Sequence, residues 1–571
     1  MKKYIIKFLA IIVCSISYGQ IEKTSTNQKD ISKSINEYLE RVEPFGFSGA
    51  VLVAKDGKVL LNKGYGLANR KTGEKNNSNS VFSTGSVTKQ FTGAAIMKLE
   101  MQGKVKTEDK LSKYFNNVPK DKQNITLHNL LTHTSGLTQA FSEDDFVEIS
   151  QKKYVDKSLN SELAFEPGNG FKYSNVGYVL LALIIEKQSG MSYEKFLNTH
   201  LFKPSGMTKT GYNLPEWKEE NFVHLYDGDK DNGTTKIFNK PTLHLLGNGG
   251  IITTTEDMFL WVQALKNNTV LSKEATTKMF TPFRNNYAYG WDSIDDGNLR
   301  QHNGGSFLGC GAELRWFVNE DLMTIIFSNA TINGKQGFSV VRNELEALSF
   351  GDEIPLPPKI NKTNVDLSTF IGDFKMNSGN IFKIEGDKNL ANLIVDNQEI
   401  LDFILNPKEY KEGGINVQLN EKFDEAFKKA LTKKDFSGFE FTGAVNELKS
   451  EITNELKLEG IDTPYHKIVH TIPSSRGNGS YVTDVAINDN PKVEGPAMIL
   501  HIATKNENYL GMGVDFGFPG PISLSLIPVG KNTFEAYSMS SKMGMKVKIE
   551  KLNEKEYSFT IDGKSIKVNK I

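Results

Sequence analysis

Cysteine is almost missing from this chain of 571 residues, which has only Cys14 and Cys310. Cys14 lies in an N-terminal apolar run, and if that run is removed Cys310 stands alone. An internal disulfide is then excluded, and stability must come from packing. Net charge is missing too: 68 Lys and Arg balance 68 Asp and Glu. There is therefore no global attraction to nucleic acid or to an anionic membrane, and partners must be recognised at particular sites. Past the first twenty residues, no apolar stretch reaches the roughly 20 residues that a membrane-spanning helix needs. The second half shows no convincing internal repeat and no low-complexity tract.

The first residues follow a different pattern. Lys2 and Lys3 precede an apolar run from Tyr4 to about Ile16, and Ser17 and Gly19 supply small residues before Gln20. This is the pattern of a secretory signal peptide over residues 1–19, cleaved near Gly19/Gln20, and it predicts a soluble periplasmic or extracellular product. Val13 is bulky where lipid attachment at Cys14 would want a small residue.

Periodicity divides the rest. Ile31, Ile35, Leu39 and Val42 recur at helical spacing, and Ser48 to Ala54 turns at Asp56-Gly57 into Val59 to Gly64. Long helices are predicted from about Val87 to Gln102 and from about Val176 to Lys187, stopped by Gly103 and Gly190. Strands follow at Asn298 to Asn303, Ala312 to Val318 and Leu322 to Ser328, and then a helix at Phe338 to Leu348. Helices enclosed by strands predict an α+β domain over residues 20–350, its sheet assembled from both ends of the segment. Pro355, Pro357 and Pro358 mark a linker at 351–365. Residues 366–571 read as a β-rich accessory region of one or two modules, interrupted by one amphipathic helical stretch at Phe423 to Leu431.

Candidate chemistry concentrates in the first domain. In Phe82-Ser83-Thr84-Gly85-Ser86-Val87-Thr88-Lys89 a serine opens the long helix and a lysine sits three residues on, so the two side chains share a face. Burial at a helix N-terminus lowers the lysine pKa, letting it take the serine proton. The spacing alone says little, because Ser150/Lys153 and Ser192/Lys195 repeat it and read as solvated helix turns. Downstream, Tyr173-Ser174-Asn175 leads directly into an apolar helix. The tyrosine can act as a general base where cationic neighbours favour its phenolate, and the asparagine amide can bridge lysine and substrate. Tyr114-Phe115-Asn116 has the same spacing but no apolar helix after it, and reads as a loop after a short helix. Third comes His302-Asn303-Gly304-Gly305-Ser306 on a strand. Its glycines allow substrate to approach the backbone, and the Gly305 amide can join the Ser86 amide as an oxyanion hole.

Ser-x-x-Lys, Tyr-x-Asn and [Lys/His]-x-Gly, in this order, resemble the serine β-lactamase and penicillin-binding-protein superfamily. The nearest likeness is to class C β-lactamases, D-Ala-D-Ala carboxypeptidases, D-aminopeptidases and related esterases. Leu130 to Leu137 (LLTHTSGL), Phe202 to Met207, Gly249-Gly250-Ile251 through Asp257, and Tyr289-Gly290-Trp291 support it, over roughly residues 30 to 350. The resemblance implies a β-lactamase/transpeptidase-like domain, an antiparallel sheet flanked by helices plus an α-helical subdomain. It implies an acyl-enzyme on Ser86, activation by Lys89 and Tyr173, orientation by Asn175, and an oxyanion held by the amides of Ser86 and Gly305. His302 would assist protonation and place the anionic group of the substrate. No cofactor or metal is implied, and the β-rich tail starting near Asp366 looks like the accessory barrel-type modules that accompany some of these hydrolases. The substrates would be peptides with D-residues or small amides and esters, cell-wall material among them. His302 and Asn303 replace the lysine and the hydroxyl residue usual in true β-lactamases, which weakens that activity. The alternative is a sensor or scaffold that is acylated but hardly turns over.

Other residues read as structural. His466 and His470 lack a third metal ligand, Cys310 between two glycines is a small core residue, and His133 supports its segment.

Overall fold

The computed structural model describes residues 28–571 except 142–144, 307, 333–334, 361–364, 387–390, 409, 413, 415, 460, 462, 474–479, 489–490, 492–496, 518–521 and 539–543. The proposed signal peptide and Cys14 lie outside the described residues. Two compact units result. One is Thr26–Ile332 with Gln336–Leu356; the other is dominated by Pro357–Ile571.

The first unit opens with α1 (Gln28–Val42), followed by the hairpin β1 (Gly49–Lys55) and β2 (Lys58–Tyr65), which turns at Asp56 and Gly57. Two core helices follow, α2 (Lys89–Met101) and α3 (Asn175–Ser189). Both are apolar or buried around nearly the whole circumference, from Lys89 to Met97 and from Val176 to Ile185, as a helix must be when it has neighbours on all sides. The chain returns through β3 (Asp292–Ile294), β4 (Leu299–Gly305), β5 (Gly311–Phe317) and β6 (Leu322–Ser328), and ends in α4 (Gly337–Phe350). The six strands form one sheet in the order β2-β1-β6-β5-β4-β3. Gly49 pairs with Ser328 and Lys55 with Leu322, so the N-terminal hairpin is inserted beside strands from the far end of the unit. This is the predicted α+β arrangement. One detail differs: the α-helix begins at Lys89, and Gly85–Thr88 form a 3-10 turn ahead of it.

The second unit is β-rich but more helical than its sequence predicts. Eight strands close into a barrel, from Gly372–Met376, Ile381–Gly386 and Ala391–Val395 to Ile522–Pro528 and the following strands through Lys564–Lys570. Phe374, Phe382, Tyr557 and Phe559 are buried in its core. Between its third and fourth strands lies a four-stranded sheet, Tyr465–Pro473 to Asn508–Gly517. Phe423, Phe427 and Phe439 pack against Leu500 and Ile502 of that sheet. The one expected helical stretch is the middle part of Val417–Lys433, and Gln398–Leu405 and Val445–Glu459 are further helices. Gln398–Leu405 is only eight residues long, and its polar stripe of Gln398, Glu399 and Asp402 is too short to separate a helix from a strand by periodicity.

Candidate active site

Ser86 lies in the 3-10 turn Gly85–Thr88, and local bonding fixes that turn. Phe82-Ser83 pairs with Ile252-Thr253. The Thr84 amide donates to the Ile251 carbonyl (2.8 Å), and the Ile251 amide donates to Thr88 Oγ1 (3.2 Å). The Gly249-Gly250-Ile251 segment is thus the clamp that holds the serine turn. It also delivers the Asn248 carbonyl to the lysine.

Lys89 is the first α-helical residue and is wholly buried. Its Nζ lies 3.2 Å from Ser86 Oγ, 2.7 Å from Asn175 Oδ1 and 2.9 Å from the Asn248 carbonyl. Burial pushes its pKa well below the ordinary amine value, and the charge of Asp145 opposes this only in part. A neutral amine has two hydrogens and one lone pair. In that form Asn175 and Asn248 would accept the two hydrogens and leave the lone pair for the Ser86 hydroxyl, whereas an ammonium would donate to all three oxygens.

Tyr173 and Asn175 flank a helix cap. Ser174 is the N-cap of α3, accepting from the Gly177 amide (3.1 Å), and its own amide donates to His133 Nδ1 (3.0 Å). The cap therefore holds tyrosine just outside the helix and asparagine just inside it. The Tyr173 ring faces Lys89 Nζ at 4.7 Å, and the Ser86 side chain acts on its hydroxyl in favour of the phenolate. Burial pushes the Tyr173 phenol up, away from phenolate. Burial thus works against the expected phenolate, and the same burial works against the lysine charge that would favour it.

His302 sits in β4 and is 5% exposed. Its Nδ1 lies 2.6 Å from the Asn303 carbonyl and its Nε2 3.0 Å from the Tyr287 hydroxyl. A carbonyl only accepts, so Nδ1 bears the hydrogen and Nε2 accepts from Tyr287. Burial lowers its pKa to about 3, and the backbone bond to Asn303 opposes this only in part. The ring is turned inward with both nitrogens engaged inside the protein, and burial favours its neutral form over one that would attract a substrate anion. Asn303 and Gly305 are the exposed positions of this stretch.

The turn and the strand touch through glycines. A Cβ on Gly304 would lie 2.2 Å from the Ser86 amide nitrogen, and one on Gly85 (φ +49°) would lie 2.5 Å from that of Gly305. Only glycine permits this approach, and it brings the two amides expected to form an oxyanion hole to one place. Amides in the first turn of a helix have no acceptor within that helix, so the Ser86 N–H is suited to an external oxygen.

Three contributors were missed or undervalued in the sequence. The Asn248 carbonyl is a backbone group without a residue-type signature. Tyr287 lies two residues before the recognised Tyr289-Gly290-Trp291 segment. His133, read as structural, packs its ring 4.2 Å from Tyr173 and 4.5 Å from Tyr287, with Nε2 buried and unpartnered. Its φ of +56° marks a constrained backbone, and such strain is concentrated at functional sites.

The look-alike residues fall elsewhere. Ser150 and Ser192 are N-caps whose hydroxyls accept from the amides of Lys153 and Lys195 (both 3.3 Å). Tyr114 follows the short 3-10 helix Leu111–Lys113 and donates to Asp109 (2.6 Å). Cys310 is buried, and burial raises its thiol pKa. His466 pairs with Asp424 (3.0 Å) and His470 with Asp484 (3.0 Å), and no metal-holding cluster of His, Cys, Asp or Glu occurs among the described residues.

A sheet flanked by helices, with a partly exposed serine and tyrosine around a buried lysine against its edge region, defines a serine hydrolase-type fold of the β-lactamase and penicillin-binding-protein superfamily. The Beta-lactamase family model matches residues 41–349, and the chain belongs to that family. PbpX of Bacillus subtilis (strain 168) is 31% identical over 328 residues, 56% of this chain and 78% of that protein. Penicillin-binding protein 4* of the same organism is 30% identical over 370 residues, 59% of this chain and 81% of its own. A solved penicillin binding protein from Bacillus halodurans is 25% identical and covers 56% of this chain and 99% of its own, with a TM-score of 0.47. No helix among the described residues is long and apolar enough to cross a membrane.

Proposed function

We propose that the protein is an exported serine hydrolase that works through an acyl-enzyme on Ser86, acting on amides and esters, peptides with D-residues included. The observation that carries this reading is the position of Lys89 Nζ, 3.2 Å from Ser86 Oγ, 2.7 Å from Asn175 Oδ1 and 2.9 Å from the Asn248 carbonyl: in the neutral form that burial favours, the two carbonyl oxygens take both hydrogens and the lone pair is left for Ser86. Lys89 takes the Ser86 proton as Oγ bonds to the substrate carbonyl carbon, and the oxyanion settles between the amides of Ser86 and Gly305. Tyr173, a protonated phenol, gives its proton to the departing nitrogen or oxygen and recovers one from Lys89. Water then attacks the ester by the same route in reverse, releasing the acid and restoring Ser86. Export is supported by the N-terminal Lys2-Lys3 and apolar pattern.

Complete retention of the proton-handling groups favours turnover over a scaffold that is only acylated. Intact-mass spectrometry tests this, comparing the mature protein with Ser86→Ala after mixing with a fluorescent penicillin and with a chromogenic short-chain ester. The expected result is a Ser86-dependent adduct or ester turnover. A long-lived adduct without turnover would support the scaffold, and equal ester hydrolysis by Ser86→Ala would refute the mechanism.

A further inference from the structure

The position that the family resemblance assigns to an anion-binding cation is occupied by a histidine with no free polar atom. His302 donates from Nδ1 to the Asn303 carbonyl of its own strand, and its Nε2 accepts from Tyr287. Tyr287 is 2% exposed and braced by the His133 ring, so the acceptor cannot be vacated by simple rotation of a surface group. The neighbouring exposed side chain, Asn303, is uncharged. Lys89 offers no substitute charge, since it is buried and its amine hydrogens are spent on Asn175 and Asn248.

Apart from Lys89 itself, the charged carboxyl groups that act on the cluster are negative. Asp145 acts on Lys89, and Asp292 of β3 acts on both Tyr173 and Tyr287. Burial raises the Asp292 carboxyl to about 7, so it carries appreciable negative charge at neutral pH and above. A carboxylate arriving on a substrate would meet these groups without a compensating cation from His302.

We infer that the site selects acyl donors whose leaving group has no carboxylate beside the scissile bond, with Tyr287 as the positioning residue that holds His302 in its neutral form. This rests on the proposed acyl-enzyme chemistry and narrows it. The substrates are alkyl esters, amides and bonds within a continuing peptide, and release of a chain-terminal residue bearing a free carboxylate is disfavoured. Specificity of this kind is a difference between two affinities, created by what the site refuses as well as by what it accepts.

Two measurements test the inference. The first compares kcat/KM for N-acetyl-D-alanyl-D-lactate with that for the methyl ester of the same lactate group, identical acyl donors that differ in one carboxylate. The methyl ester is expected to be favoured by about tenfold or more, and His302→Lys to shrink or invert the ratio. Preference of the wild type for the free acid would overturn the inference. The second is nitrogen-15 NMR of the histidine rings in the full chain, with His302 assigned by difference from His302→Gln. The groups facing His302 are Lys89 from α2, His133, Tyr173 and Tyr287, with Asp292 acting through the two tyrosines. Its ring is expected to remain in the neutral Nδ1–H form from about pH 5 to about pH 8. In Tyr287→Phe, the uncovered Nε2 should become protonated within that range. An imidazolium in the wild type, or no change in Tyr287→Phe, would refute the positioning role. If neither ester is cleaved, the spectra alone decide. If cleavage persists in Ser86→Ala, the acyl-enzyme chemistry falls, while the spectra still establish whether Tyr287 holds His302 neutral.

Discussion

Ser86/Lys89 and the pairs Ser150/Lys153 and Ser192/Lys195 have one spacing and two outcomes. In the latter two, the serine hydroxyl accepts from the lysine backbone amide and starts a helix, while the lysine side chain is left to solvent. At Ser86 the lysine side chain itself turns to the hydroxyl, because the turn is 3-10 and two outside oxygens draw Nζ inward. Sequence spacing sets which side chains can meet. Burial and the partners brought by distant segments set what the meeting does.

This contrast can be broken most directly at the serines. Ser86→Ala is expected to lower ester turnover by about 10⁴-fold or more, while Ser150→Ala and Ser192→Ala leave it unchanged. A comparable loss in either cap variant would erase the distinction. Gly304→Ala is expected to lower kcat by roughly 10² to 10³, since the added carbon meets the Ser86 amide and displaces an oxyanion donor, as stopped-flow acylation would show. Asn175→Ala should cost about tenfold to a hundredfold. Without that acceptor the ammonium form of Lys89 loses support, so the acid limb of the pH–rate profile should move to lower pH.

Acid stability sharpens the contrast further. His302 ionises at about 3 in the folded chain, against 6.5 as its ordinary value. The unfolded chain therefore binds the extra proton first. The stability contributed by the neutral ring is full above 6.5 and is lost as pH falls toward 3. Thermal melts of His302→Gln over that interval should show a shallower decline than the wild type. The smallest effect is on the cap itself: Ser150→Ala should cost about 1 kcal/mol of stability in a denaturant titration, with activity intact.

The catalytic unit was largely legible because its signals are local. A serine, a lysine, a Tyr-x-Asn before an apolar helix and a glycine-rich strand end are each readable within a few residues. The look-alike Tyr114 could be set aside for lack of that helix. What could not be read depends on contacts between distant segments. The Asn248 carbonyl reaches Lys89 beside the clamp between Ile251 and Thr84, and His302 Nε2 is engaged by a tyrosine fifteen positions earlier in the chain. The accessory region was the least legible. Its barrel strands show an alternation that any half-buried strand shares, and closure is a property of pairing that no single strand records.

The sheet order also says something about timing. The nucleophile, its lysine and the tyrosine are all synthesised well before β4, and β1 must wait for β6 before the central pairing of the sheet can form. An incomplete chain therefore has the reactive side chains but no second amide to receive an oxyanion. Because such non-local pairing is among the slower steps of folding, the proposed oxyanion site is completed late, with the joining of the most distant strands of its sheet.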